Sequence, residues 1–269
     1  MSHTTNAGSD RAFRLTVLCI VWLFAVITLA RAIVRKDFAR FDVAIELFVL
    51  ALLPFLLEKL FSCRVSKAMF LYIELYLIGY PLGHCYKLYF HTTWFDKILH
   101  ISGGVAFALL GFWLFRLLLF GREGGPLDAK KLRTGLFCAL CFSVAIAAVW
   151  ELIEFAGDAA LGTDAQTDTV IHEIHSFRLS DEPGAITSIT QISDTAVSGF
   201  DDANYETLTL PTGGYLDIGL IDTMLDIAVE LAGAVITVIF LWFDKARHTG
   251  FYPREEHALK KDHFFSEIK

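Results

Sequence analysis

Gly219-Leu-Ile-Asp222-Thr-Met-Leu-Asp226-Ile-Ala-Val-Glu230-Leu-Ala-Gly233-Ala-Val-Ile-Thr237 places three acids four residues apart in an apolar run that continues to Phe243. On a helix, each step of four drifts by about 40°. Asp222, Asp226 and Glu230 therefore share one stripe, and Gly233 extends it. The stretch reads as a membrane span with an acidic face. A carboxylate in mid-helix costs roughly 2.5–3.5 kcal/mol on the insertion scale, so it persists where it faces protein or water and has partners. The rest of the chain is read for those partners.

The chain has 269 residues, of which 55% are hydrophobic and 20% charged. Its mean hydropathy is +0.51. The apolar surplus falls in runs of about 20 residues, which is bilayer length. The fold class expected is an all-α polytopic membrane protein. The net charge is −7 and no basic face suited to nucleic acid is present. Five cysteines give no disulfide framework. Cys138 and Cys141 form C-x-x-C inside an apolar helix without a second pair, which favours packing over metal or redox use.

A polar segment, 1–14, precedes an apolar run from about Leu15 to Val34. Its basic flank and Ala30-Arg31-Ala32 imitate a signal peptide, but the length and the spans that follow favour an uncleaved first span. Further spans are expected at Val43–Phe61, Ala68–Tyr86, Ile98–Phe120, Gly135–Ala156 and Ile218–Phe243. The expected organisation is a cytoplasmic tail (1–14), five transmembrane helices (15–156), an acidic extracytoplasmic loop (157–217), a sixth helix (218–243) and a second cytoplasmic tail (244–269). With the N-terminus inside, 16 Lys and Arg fall on the cytoplasmic side and seven opposite. The positive-inside rule favours that orientation, although Arg31, Arg35, Lys36 and Arg40 cluster on the other side.

The loop 157–217 holds 11 Asp or Glu and one Arg. Thr169–Leu179, Ala185–Val197 and Tyr205–Tyr215 are rich in Thr, Ile, Val and Tyr and read as short strands, so a β-rich cap is expected. His172 and His175 would point to opposite faces of a strand and read as solvated.

Three helices then carry polar groups at one depth near the outer boundary. Asp96 and His100 are four apart at the start of the fourth span. Glu151, Glu154 and Asp158 share a face at the end of the fifth. Asp222 and Asp226 open the sixth. Glu46 and His84 fall at a similar level. Carboxylates with imidazole are the ligands of divalent cations. The same set suits acid/base work or proton relay, and a hydrogen-bonded core that locks helix packing is the bland alternative. Glu74, alone on the third span, is expected to be an isolated buried acid with a local partner, or to mark a misplaced span boundary. Lys97 can snorkel outward. Ser102-Gly103-Gly104 and Gly233 suit close helix approach.

Asp96-Lys-Ile-Leu-His100-Ile-Ser-Gly-Gly104, Trp150-Glu-Leu-Ile-Glu-Phe155 and Asp222-Thr-Met-Leu-Asp226-Ile-Ala-Val-Glu-Leu-Ala-Gly-Ala234 resemble the three motifs of the YjdF-like family of bacterial inner-membrane proteins. More distantly they are similar to VanZ-like proteins, associated with teicoplanin resistance. The resemblance implies Asp96, His100, Glu151, Glu154, Asp222 and Asp226 as the site. It implies a multi-pass inner-membrane location and no particular reaction. The long loop between the second and third motifs departs from the pattern. The expected function is an enzyme or binding protein for a lipid or lipid-linked envelope substrate, assisted by a divalent metal ion. His100, Glu151 and Glu154 are the candidate acid/base groups, and membrane lipids are the expected partners. The alternatives are a transporter or cation pathway, and a structural or partner-binding membrane protein.

The topology predicts that a cysteine at Ser193→Cys reacts with an impermeant maleimide in intact cells. Labelling only after the membrane is opened would reverse the orientation.

Overall fold

Proline placement and glycine contacts shape the helices of the computed structural model, which describes residues 3–36, 41–92, 94–121, 125–201, 204–244 and 247–253. The helices are α1 (His3–Arg35), α2 (Phe41–Leu50), α3 (Leu53–Leu60), α4 (Lys67–Cys85), α5 (Leu88–His91), α6 (Trp94–Phe120), α7 (Ala129–Leu161) and α8 (Leu220–Phe243). Four of the described helices, α1 from Ser9, α6, α7 and α8, are long and apolar enough to cross a membrane. Arg40, Arg122 and Lys245 of the charge count lie outside the described residues, as do 245–246 and 254–269 of the expected second tail.

Three sequence expectations change. The first helix begins at His3, inside the segment expected as a polar tail. The expected second span is two short helices. Pro54 sits in the first turn of α3, where its missing N–H is tolerated, and it cannot continue α2's hydrogen-bond ladder. The residues expected to open the loop, Gly157–Leu161, extend α7.

By its internal contacts the chain divides into two units, Met1–Ala147 with Val229–Lys269, and Ala148–Ala228. In the first unit, β1 (Cys63–Val65) pairs antiparallel with β8 (Phe251–Pro253). This draws the segment after α8 back to the α3–α4 connection. Gly250, at φ +80°, makes the turn, and its carbonyl accepts the Ser66 N–H at 2.7 Å. Phe251 is buried against Trp113, ring centres 5.5 Å apart, within a core that includes Val65, Met69 and Phe70.

Beside this ribbon lies a buried ion cluster. Arg14 donates to Asp10 at 3.2 Å, to Glu58 at 2.9 Å and to the Val65 carbonyl, and its guanidinium lies over the Phe70 ring. Arg64 donates to Glu58 at 3.0 Å and to Asp10. Two cations meet two anions, and breaking such a set by removing one partner costs about 3–5 kcal/mol.

On α6, small residues admit neighbouring backbones. A Cβ at Gly104 would lie 2.0 Å from the Glu230 carbonyl oxygen, and one at Gly233 would lie 2.2 Å from the Ile101 carbonyl oxygen. The contacts are reciprocal, so α6 and α8 cross with their backbones in contact. The Ser143 hydroxyl of α7 donates to the Gly104 carbonyl at 3.3 Å. Gly111 and Gly135 meet Phe142 and Phe115 across α6 and α7. Asp128 caps α7: its carboxylate accepts the Lys131 N–H at 2.8 Å, which holds it below the usual carboxylate range.

The second unit contains three antiparallel pairs: β2 (Val170–Ile171) with β7 (Tyr215–Leu216), β3 (Glu173–Ser176) with β4 (Thr187–Thr190), and β5 (Ala196–Asp201) with β6 (Asn204–Thr209). His172 and His175 are both exposed, bonded to the Ile192 carbonyl and the Ser188 hydroxyl.

Backbone contact at Gly104 leaves no side chain to yield. Gly104→Ala should destabilise the protein by roughly 2 kcal/mol or more. Gly157→Ala, which meets nothing closer than 3.8 Å, should be neutral or stabilising. Thermal unfolding in detergent of both variants beside the wild type measures the difference, and equal midpoints would contradict it.

Candidate metal centre

The candidate centre in the first unit starts from where α6 begins. Helix starts at Trp94, so Asp96 sits in the first turn and His100 one turn later on the same face. Asp96 Oδ1 and His100 Nε2 are 3.7 Å apart. On its other side, His100 Nδ1 is 3.8 Å from Glu230 Oε2 of α8. The glycine contacts place it there, because α8 comes this close only where Gly104 and Gly233 carry no side chain. His100 and Glu230 are buried, while the Asp96 side chain keeps 32% of its exposure. Glu230 Oε1 is buried and has no hydrogen-bond partner among the described residues. Separations of 3.7–3.8 Å exceed hydrogen-bond length.

Two further groups border this space. The Asp96 carboxylate receives Lys97 Nζ at 3.2 Å. From α4, the Tyr76 hydroxyl would lie 3.2 Å from a Cβ on Gly103, and Glu230 Oε2 3.7 Å from the same point. Tyr72, one turn earlier, donates to the Ser102 carbonyl at 2.6 Å and ties α4 to α6. Sequence reading missed both tyrosines, although their spacing of four on an apolar helix was a usable signal.

Asp226 lies one turn before Glu230 along the continuous helix α8 and is 2% exposed. Helical periodicity keeps the two on one stripe. The remaining expected residues belong to the second unit. Glu151 is buried near the end of α7. Glu154 is partly exposed and accepts the Trp150 indole N–H at 2.9 Å. Asp158 binds the loop that follows α7: it accepts the Thr163 hydroxyl at 2.7 Å and the Ala165 and Gln166 N–H groups at 2.7 and 2.9 Å. Asp222 accepts the Thr167 N–H at 3.0 Å. Gln166 was also missed. Its side-chain amide donates to the Thr223 hydroxyl at 2.6 Å and to the Glu151 carbonyl and carboxylate at 3.3 and 3.4 Å. The acids make this end strongly anionic. Burial first, and then Asp168, Asp158 and Asp222, raise the Asp164 carboxyl above its ordinary range.

Three polar residues expected elsewhere have other settings. Glu46 is exposed on α2. His84 stands edge-on between Tyr80 and Tyr89, ring centres 4.6 and 5.0 Å away. Glu74 was expected to have a local partner, yet neither of its carboxylate oxygens has one among the described residues. It lies on the face of α4 away from Tyr72 and Tyr76, among apolar side chains.

Gln166 links α7, its own loop and α8 through one amide. Gln166→Ala should destabilise the second unit by about 1–2 kcal/mol. Limited proteolysis should then cut faster between Thr163 and Thr169 than in the wild type, and unchanged cleavage would count against the link.

A family model described as predicted membrane protein (DUF2238) matches residues 15–247, which covers all three motifs and the segment between them. No curated protein and no solved structure matches the chain.

Proposed function

The chain belongs to this family of predicted membrane proteins, and from that premise we propose that it is a cell-envelope membrane protein with a divalent-cation centre serving a lipid or lipid-linked substrate. The observation that carries the proposal is the imidazole of His100, set between Asp96 and a buried Glu230 at distances too long for hydrogen bonds. Two carboxylates around one imidazole suit a cation better than they suit each other. Glu230 is buried with one carboxylate oxygen unpartnered among the described residues, and an added positive charge would offset that cost.

The ligand set proposed is Asp96 and His100, with Glu230 behind the imidazole. His100 would bind through Nε2, the nitrogen facing Asp96, with Nδ1 turned toward the Glu230 carboxylate 3.8 Å away. That carboxylate–imidazole–metal order fixes the tautomer and the ring orientation. Borderline and hard divalent cations accept such a nitrogen and oxygen set. A bound ion would act as a Lewis acid on a phosphoryl or carbonyl oxygen. Glu154 and Asp222 already accept protein N–H groups, so the proposed ligand set is narrower than the six residues the sequence suggested.

The topology belongs to the same proposal. Six membrane crossings require α2 with α3 to count as one crossing and α4 as another, beside the four long apolar helices. Both termini then lie in the cytoplasm and the 157–217 segment outside. The acidic composition of that segment and the distribution of Lys and Arg support this orientation. The motif likeness to YjdF-like proteins is consistent with the reading. The VanZ-like likeness gains nothing from the comparisons and carries none of it.

Metal analysis of the detergent-purified protein tests the centre. Wild type should retain near-stoichiometric divalent metal after dialysis against metal-free buffer. Asp96→Asn and His100→Gln should lose it while keeping their helical circular dichroism. Glu230→Gln should weaken affinity about 10- to 100-fold, as expected for a group that orients a ligand. Metal content that is negligible in wild type, or equal in all four proteins, would refute the centre.

A further inference from the structure

Glu74 lies apart from the centre described above. Its side chain is fully buried, and both carboxylate oxygens lack partners among the described residues. At about 100° per residue, it projects from the side of α4 opposite Tyr72, Tyr76 and Gly79, which meet α6. Its own stripe carries Phe70 one turn before and Ile78 one turn after. Phe70 packs on Phe55 of α3, and Ile78 packs on the cluster of Leu18, Val21, Ala25, Leu47 and Ala51 from the α1 and α2 region. The carboxyl group is therefore held in an apolar core formed by α1, α2 and α4.

The charged groups on the packed elements are committed or turned away. Arg14 of α1 lies over the Phe70 ring, one turn from Glu74 on this stripe, and its donors go to Asp10, Glu58 and the Val65 carbonyl. Asp42 and Glu46 of α2 are exposed. Tyr72 of α4 donates to Ser102, and Asp96, Lys97 and His100 belong to α6, on the other side of α4. A carboxylate anion in such a setting has neither solvent nor counter-charge, and the physical outcome for an isolated buried ion is neutralisation. A neutral acid forfeits only the hydrogen bonds of one hydroxyl and one carbonyl.

We propose that Glu74 is a proton-binding site: a carboxylic acid that carries its proton inside the α1–α2–α4 core and releases it only when that core admits water or a cation. The ligand is the proton itself. The site is separate from the Asp96–His100–Glu230 group in position and chemistry, so each proposal can fail without the other.

Infrared spectroscopy of the full-length protein in an ester-free detergent at neutral pH, taken as the difference between wild type and variant, reads the protonation state. A protonated carboxyl group gives a C=O stretching band that a carboxylate lacks. The wild-type spectrum should contain this band, and Asp96→Asn should keep it. Glu74→Gln, which preserves shape and neutrality, should lose it, and Glu74→Asp should shift it. Identical carboxylic-acid bands in wild type and Glu74→Gln would overturn the proposal. Labelling of the wild type with dicyclohexylcarbodiimide gives a second reading that needs no variant to fold. The acid's proton adds to a carbodiimide nitrogen and its oxygen to the central carbon, and the O-acylurea rearranges to a stable N-acylurea. Peptide mass spectrometry should find the adduct on Glu74 with the apolar reagent and not with a water-soluble carbodiimide. Equal modification by both reagents would place Glu74 in water and refute the buried acid.

Discussion

The contact on which the candidate centre depends is the approach of two backbones, α6 at Ile101–Gly104 and α8 at Glu230–Gly233. Each helix gives up a side chain where the other's carbonyl arrives. Between lipid-embedded helices no water is released by such packing, so close dispersion contact and hydrogen bonds supply the attraction. The consequence is chemical as well as mechanical. Only at this separation does the Glu230 carboxylate reach the imidazole of His100, which the first turns of α6 have already set beside Asp96. A wider crossing would leave an acid in the apolar phase with nothing to face.

Much of this was readable in the residues. The i, i+4 spacing of Asp96 and His100 and the stripe from Asp222 to Glu230 follow from helical periodicity alone. Gly103, Gly104 and Gly233 were legible as close-packing positions. What the sequence left out came from distant parts of the chain. Tyr72 and Tyr76 look like ordinary interfacial aromatics until α4 is known to lie against α6 at Ser102 and Gly103. Gln166 stands in a polar loop with no helical or strand period to mark it, and its importance rests on groups from Glu151 and Thr223. The break between α2 and α3 falls at Pro54, which lay inside the single span expected at Val43–Phe61. Glu230 was visible as part of the stripe but was not among the candidate ligands.

The charged residues near the start of the chain show the same limit. Arg11 and Arg14 were counted together as markers of the cytoplasmic side. In the structure Arg14 is 3% exposed and bonded to two acids and a carbonyl, so it works as a packing element. The β1–β8 ribbon lies next to it, and Arg14 and Glu58 both bond to Val65 of that ribbon. Residues far apart in sequence thus share one polar core, which no local pattern could reveal.

Glu74 and Glu230 are the same residue type, buried to nearly the same degree in the same unit, yet their surroundings separate their chemistry. Glu230 faces an imidazole that can carry a proton or a metal, with a second carboxylate just beyond it. A cation placed there lowers the energy of all three groups at once. Glu74 lies on a stripe of apolar side chains, and the Arg14 guanidinium over neighbouring Phe70 is taken by other acceptors. For an isolated acid in that setting, holding a proton is the lowest-cost state, because a proton removes the charge without requiring any further ligand. Composition and hydropathy treat the two glutamates alike. What distinguishes a cation site from a proton site is which side chains the helix crossings deliver to within a few ångströms of each carboxyl group.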